Sequence, residues 1–180
     1  ASTGGRFDFA GLSAQGIERI EVLRGAQSAL YGGEAIGGVV NIVTRRAEKG
    51  IGGYVGVGGG SYGTFRQEAG ADAAEDGWDL TVDAANQTSQ GFSRSTAGGE
   101  NDGAKLRTLS ARGGVRANDA LSFDAAARYE DVFAELDPTA TRDGFAEKHD
   151  RVWSGRAGAE LALFDGAWTQ HLDLYGSRTL

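Results

Sequence analysis

The sequence predicts an all-β chain of short antiparallel strands, of the kind that builds membrane-spanning barrels. Three observations support this fold class. Apolar and polar residues alternate with a period of two from about residue 51 onward. Glycine supplies 30 of the 180 residues and proline only one, and glycines spread through strands suit curved sheets and barrels. Short turns also alternate with long polar connections, which is the loop asymmetry of outer-membrane barrels.

Composition argues against several other classes. The chain has 18 Lys and Arg residues against 25 Asp and Glu residues, for a net charge of -7. This acidity argues against a nucleic-acid partner, because phosphate binding requires clustered cations. Without any cysteine, neither a disulfide framework nor a thiolate metal site can form. No apolar run reaches 18 residues, so we expect no transmembrane helix.

The first elements are predicted to be two apolar strands joined by a glycine-rich loop. Residues 19–46 read RIEVLRGAQSALYGGEAIGGVVNIVTRR. A dinucleotide loop requires G-x-G-x-x-G before a helix, and a P-loop requires G-x-x-x-x-G-K-[ST]. The glycines fit neither spacing, and the following segment, VVNIVT, is β-branched and extended rather than helical. We therefore reject a soluble glycine-loop enzyme and interpret the glycines as sites of turns and close backbone packing.

About seven further strands of roughly 9–12 residues follow, the length of tilted membrane-spanning strands. In residues 78–84 the apolar side chains occupy one face and the polar ones the other, and the later strands repeat this pattern. Long connections are expected at residues 89–104 and 133–150. Aromatic residues near predicted strand ends favour an interfacial girdle, although a soluble sandwich with an aromatic core remains an alternative. These aromatic residues are Trp78, Phe92, Tyr129, Phe133 and Trp168.

Residues 17–46 resemble the C-terminal half of the plug domain of TonB-dependent outer-membrane receptors. The family pattern E-V-L-R-G-P, then S-x-L-Y-G-x-x-A-x-G-G-x-V-N-I-x-T, is matched at nearly every fixed position, with Ala26 replacing the usual proline. The motif residues singled out for gating and packing are Glu21, Arg24, Gly25, Tyr31, Gly32, Gly37, Gly38 and Asn41.

The resemblance implies that residues 1–47 are the C-terminal part of a plug. Residues 48–180 would be the first seven or so strands of a 22-stranded transmembrane barrel in the outer membrane of a Gram-negative bacterium. A small stand-alone structural or adhesive barrel is the alternative, and the plug motif counts against it.

Two structural roles follow from the resemblance. Arg24 would act as a latch at the plug–barrel boundary, pairing with carboxylates on later barrel strands that this chain does not contain. An ordinary capping or solvent-facing arginine is the alternative. The apolar residues of the two plug strands would build a small β-core. They are Val22, Leu23, Val39, Val40, Ile42 and Val43.

Residues 60–103 are similar to the cobalamin receptors of the BtuB type, although siderophore receptors share the plug motif. This likeness makes Tyr62 and Phe92 candidates to face the substrate. It also implies calcium in the extracellular loops, because clustered oxygen ligands suit a hard cation. Solvated loop carboxylates are the alternative to this calcium site. The candidate ligands are Glu100, Asp102, Asp137 and Asp143.

The resemblance also names the partners. They are TonB with its inner-membrane energising complex, cobalamin or a ferric siderophore, and outer-membrane lipid. We find no catalytic constellation in the sequence, so we expect a transport receptor rather than an enzyme, with no required cofactor.

Overall fold

A computed structural model describes residues 16–28, 35–93, 101–136 and 146–180. In these ranges nine strands form two antiparallel sheets. A two-stranded sheet pairs β1 with β2, and a seven-stranded meander runs in chain order from β3 to β9. The strands are β1 (Ile17–Arg24), β2 (Gly38–Thr44), β3 (Gly50–Gly60), β4 (Thr64–Glu75), β5 (Trp78–Ser89), β6 (Ala104–Arg116), β7 (Leu121–Leu136), β8 (Ala146–Leu163) and β9 (Trp168–Thr179).

The plug strands form the predicted pair. Val22 lies opposite Val40 and Arg24 lies opposite Gly38. Val22 is 61 % exposed and Leu23 and Val40 are also exposed, whereas Val39, Ile42 and Val43 are half-buried, so the small β-core stays a prediction.

The seven-stranded sheet confirms the predicted strand number and faces but lengthens two strands. β7 has 16 residues and β8 has 18, so part of the connection predicted at residues 133–150 is strand. Tyr129 consequently lies inside β7 rather than at a strand end. The short links at residues 76–77, 117–120 and 164–167 share one edge of the sheet, and the two longest connections lie at the other.

The burial of this sheet is inverted relative to a soluble protein. Thr81, Asp83, Thr108 and Ser110 are buried, with Thr81 only 2 % exposed. The alternate residues on the same strands are open, including Leu80 at 47 % and further apolar side chains on β6 and β7. The face that carries the polar residues is covered by β1 and β2, which we call the plug hairpin, and by the linker at residues 45–49 that joins β2 to β3. We call this polar face the inner face and the apolar one the outward face.

The apolar band on the outward face is as tall as the band that outer-membrane barrels present to the membrane. On β8 the outward positions from Trp153 to Leu163 carry no charge. Ten residue steps at about 3.3 Å each span roughly 33 Å along the strand, or roughly 25 Å after a tilt of about 40°. That is the height of the apolar band of outer-membrane barrels. Within the ranges described, no helix is long and apolar enough to cross a membrane.

Candidate functional site

A cluster of charged and polar side chains joins the plug to the inner face. Arg45, directly after β2, donates from Nη1 to Asp72 Oδ1 on β4 at 2.6 Å and from Nη2 to Asp83 Oδ1 on β5 at 3.3 Å. The hydroxyl of Tyr54 on β3 donates to the same Asp83 oxygen at 3.0 Å. The tyrosine ring centroid lies 5.6 Å from the guanidinium carbon. We call Arg45, Tyr54, Asp72 and Asp83 the Arg45 clasp.

The clasp pairs one cation with two carboxylates. The hydrogen bond to Asp72 is the main factor that raises the pKa of Arg45 above its usual value, against the opposing effect of burial. The Asp83 side chain is only 4 % exposed. A carboxylate this deeply buried is costly without a paired cation and hydrogen-bond donors. Arg45 and Tyr54 supply both, so the clasp holds the linker to three neighbouring strands.

Arg112 fixes the base of the plug hairpin on the inner face, and a backbone hydrogen bond closes the hairpin itself. Arg112 of β6 donates from Nη1 to the Thr44 carbonyl oxygen at 3.1 Å and to Thr44 Oγ1 at 3.2 Å. The backbone nitrogen of Arg45 donates to the Gly16 carbonyl at 2.9 Å. A Cβ at Gly16 would lie 2.8 Å from Ser110 Oγ. Gly16 therefore allows the chain entering β1 to approach the sheet closely.

The predicted plug motif is only partly within the described residues. Glu21 and Asn41 face each other across the hairpin, and Asn41 Nδ2 donates to Glu21 Oε2 at 2.9 Å. Arg19 Nε donates to Glu21 Oε1 at 2.8 Å. These two hydrogen bonds, that from Arg19 first, lower the pKa of Glu21. Tyr31 and Gly32 lie outside the described ranges.

The remaining motif glycines and Arg24 lie at the open end of the hairpin. Gly38 has a φ of +144°, and a Cβ there would lie 2.5 Å from the Leu23 carbonyl oxygen. Glycine is therefore required where β2 begins. Gly25 has a φ of +94° just after β1, whereas a Cβ at Gly37 would meet nothing. Arg24 is exposed, and no hydrogen bond or ion pair joins it to another described residue. Its role as a latch stays a prediction.

The two candidate substrate-facing residues lie together at the edge of the long connections. The rings of Tyr62 and Phe92 are 5.2 Å apart between centroids with an interplanar angle of 44°. The backbone nitrogen of Gln90 donates to the Tyr62 carbonyl at 3.0 Å, which ties the two loops. Both rings are more than half exposed. Sequence reasoning placed both residues at this end of the sheet without foreseeing their contact.

Of the four candidate calcium ligands, only Asp102 is described. It precedes β6 and is half-buried. Glu100, Asp137 and Asp143 fall outside the described ranges. In the part of the chain that the structure does describe, no three acidic or histidine side chains cluster as a metal site would require.

Comparisons with known proteins agree with this arrangement. Residues 1–39 match the TonB-dependent Receptor Plug Domain family. The vitamin B12 transporter BtuB of Photobacterium profundum is 34 % identical over 142 residues, covering 76 % of this chain and 23 % of the transporter. The chain belongs to the TonB-dependent receptors. It spans about a quarter of the length of the curated relatives that it matches along most of its own length.

Two other relatives show how widely the pattern is shared. The iron-regulated outer membrane virulence protein of Vibrio cholerae is 63 % identical over 35 residues, which are 19 % of this chain and 5 % of that protein. The ferripyoverdine receptor of Pseudomonas aeruginosa has the same fold, with a TM-score of 0.67 and 19 % identity over 89 % of this chain and 24 % of its own. The chain is thus part of an outer-membrane β-barrel protein of a Gram-negative bacterium.

The Arg45 clasp is the feature of the TonB-dependent receptor that sequence reasoning missed. Arg45 lies just beyond the plug motif, and its hydrogen bonds to Asp72 and Asp83 join it to the inner face of the sheet. The alternation did place Asp83 on the polar face of β5. Pairing it with Arg45 requires the register of β3, β4 and β5, which no motif in the sequence specifies.

Proposed function

We propose that the chain is part of a receptor for active uptake across the outer membrane. The receptor binds a scarce, large nutrient at its extracellular end and passes it through a plugged barrel. TonB, with its inner-membrane energising complex, supplies the work. The observation that carries the proposal is the plug hairpin docked on the inner, polar face of a sheet whose outward face is apolar. A stand-alone structural or adhesive barrel has no need for such a hairpin.

Cobalamin is the favoured nutrient. The likeness to the vitamin B12 transporter extends through 76 % of the chain, well beyond the plug motif. The paired rings of Tyr62 and Phe92 offer an apolar, partly exposed platform of the kind that a large planar ligand contacts. A ferric siderophore is the second candidate, because the ferripyoverdine receptor shares the fold.

Calcium enters the proposal as a loop-ordering ion rather than a required cofactor. Asp102 lies next to the platform, since a Cβ at Gly91, the residue before Phe92, would meet the Asp102 carbonyl oxygen. Oxygen ligands from this segment would order the approach to the two rings. Glu100, Asp137 and Asp143 remain candidates to complete the set.

The test is ligand binding by the full-length receptor in detergent, with cobalamin and ferric siderophores compared in the presence and absence of calcium. We expect cobalamin to bind and calcium to tighten that binding. Tyr62→Ala and Phe92→Ala should each weaken it about tenfold, the worth of one aromatic contact. Phe164→Ala is the matched control, because Phe164 is an exposed aromatic residue in a turn at the opposite edge of the sheet.

The outcomes separate the candidates. Siderophore binding without cobalamin binding would change the proposed nutrient to a siderophore and leave the proposed uptake function intact. Binding of neither ligand, together with uptake that does not depend on TonB, would contradict the proposal.

A further inference from the structure

The outward face changes from apolar to charged within one row of residues. Across β6, β7 and β8, the outward residues Leu109, Tyr129 and Trp153 lie side by side. The Tyr129 and Trp153 rings are 4.6 Å apart between centroids. We call these three residues the aromatic row, after the two that are aromatic. Tyrosine and tryptophan at this level mark the boundary between the hydrocarbon and headgroup regions of a membrane.

The next outward row, towards the long connections, consists of Arg107, Asp131 and Arg151 in direct register. We call it the rim row. On the neighbouring strands Asn86 and Gln67 continue it, so the polar boundary extends from β4 to β8. The rim row therefore lies where the headgroups of the outer leaflet begin.

The two arginines of the rim row are not satisfied by the carboxylate between them. Arg107 Nη1 and Arg151 Nε each lie 3.9 Å from an Asp131 oxygen, too far for a hydrogen bond. Asp131 Oδ1 is instead 2.6 Å from Nε2 of His149. The arginine side chains are 66 % and 51 % exposed, against 16 % for Asp131. Both guanidinium groups are therefore largely open to the surroundings.

Other cations surround the rim row. The Lys105 ammonium lies one row farther out, 5.7 Å from the Phe133 ring centroid, and Arg178 is opposite Trp153 in the register of β8 and β9. The acids Glu135 and Glu147 face each other beyond this level, and Glu135 accepts a hydrogen bond from the Gly103 backbone nitrogen.

The short turns at the opposite edge of the sheet are acidic. They carry Asp76, Asp119 and Asp165. On the outward face of the described strands, all Lys and Arg residues lie at this level or one row from it, beside three acids, in a chain whose net charge is -7.

We propose that the rim row binds the phosphate groups of phosphorylated lipids in the outer leaflet. Guanidinium groups bind phosphate oxygens through paired hydrogen bonds. Arg107 and Arg151 are two strand spacings apart, about 9.6 Å, so they can hold two phosphates or grip one headgroup from both sides. A lipid is the occupant that fits, because its acyl chains would contact the apolar band while its phosphate reaches the rim. A soluble anion would use the rim alone.

The test uses the full-length receptor in neutral detergent and measures the thermal unfolding midpoint as lipid is added. The probes are lipopolysaccharide, phosphatidylglycerol, phosphatidylcholine and inorganic phosphate. We expect the two anionic lipids to raise the midpoint at concentrations where phosphatidylcholine and inorganic phosphate do not. The double variant Arg107→Gln/Arg151→Gln should require at least tenfold more anionic lipid for the same shift.

Two companion variants keep the result interpretable. Lys49→Gln/Arg116→Gln removes two exposed cations near the other edge of the sheet and should respond as the unmodified receptor does. Asp131→Asn removes the carboxylate of the rim row and should lower the lipid concentration required. Equal lipid responses in the rim variant and the unmodified receptor would overturn the proposal. An equal response to inorganic phosphate would show an anion site rather than a lipid site and would also overturn it.

Discussion

On β5, Leu80 and Val82 point outward and are exposed, whereas Thr81 and Asp83 point inward and are buried. The same strand thus presents its apolar side to the surroundings and its polar side to the plug. A sheet in a soluble protein buries the apolar face, because water is the outer solvent. Here the outer solvent is hydrocarbon, and the polar face is covered by a hairpin held through charge. The two faces therefore respond to mutation by different rules.

The largest effect is expected when a charge is placed on the outward face. Ala125 points outward on β7, opposite Ala157 near the middle of the apolar band. Ala125→Lys should destabilise the inserted receptor by about 2–4 kcal/mol, the cost of a lysine near the bilayer midplane. The measurement is urea unfolding of the full-length receptor reconstituted in vesicles.

The control places the same charge on the other face. Ser154 is an inward, exposed residue on the neighbouring strand β8. Ser154→Lys should cost less than about 1 kcal/mol, since the lysine is hydrated and Arg128, which lies directly opposite, is already paired with Glu130 at 3.0 Å. If both variants lower the free energy of unfolding by the same amount, the assignment of the two faces is wrong.

The next effect concerns the Arg45 clasp, which holds the plug to the polar face. Arg45→Ala leaves the buried Asp83 carboxylate with Tyr54 as its remaining partner in the clasp. A cost of about 2–4 kcal/mol at the junction is expected, below that of a fully buried pair because Arg45 is 32 % exposed. Hydrogen exchange of the β1 and β2 amides in the full-length receptor should accelerate at least tenfold.

Lys49→Ala provides the matched control for Arg45→Ala. Lys49 also lies in the linker and pairs with Asp76 at 2.7 Å, but the two side chains are 73 % and 90 % exposed. An exposed pair of this kind contributes little, so exchange in the hairpin should stay unchanged. Equal acceleration in both variants would show that general loss of linker charge, not the clasp, governs the hairpin.

The sequence predicted the faces but not the clasp, for identifiable reasons. Alternation is clear on β5 because each apolar residue is flanked by polar ones. The alternation breaks down at the ends of β7 and β8 next to the long connection, where Asp131 and His149 are polar although they point outward. Residues 133–136 and 146–150 were therefore predicted as part of a connection, whereas they are strand. The clasp joins Arg45 to residues 27 and 38 positions away. Such contacts depend on strand register, which alternation leaves open.

A smaller effect is expected at the turn into β2. Gly38→Ala forces a Cβ against the Leu23 carbonyl at a φ that side chains rarely adopt, so the hairpin should lose about 1–3 kcal/mol. Gly37→Ala, the adjacent control, meets open space and should be neutral or slightly stabilising. Hydrogen exchange of the hairpin amides distinguishes the two. Equal acceleration would mean that glycine composition, rather than the geometry at Gly38, matters.

The smallest effect is expected at Glu21, which pairs with Arg19 within the plug hairpin and makes no hydrogen bond or ion pair with the described strands of the seven-stranded sheet. The hydrogen bonds from Arg19 and Asn41 lower the pKa of Glu21 in the folded state. A lowered pKa means that the stabilisation is complete above the ordinary glutamate pKa of about 4.3 and is lost as the pH falls through the folded value.

Hydrogen exchange of the β1 and β2 amides should therefore be unaffected by Glu21→Gln below that window and slightly accelerated by it at neutral pH. Asn41→Ala should reproduce part of the acceleration at neutral pH, since it removes one of the two donors. If the acceleration of exchange by Glu21→Gln grew as the pH fell, the pH dependence would be opposite to the one predicted. That result would show that protonated rather than ionised Glu21 holds the hairpin together.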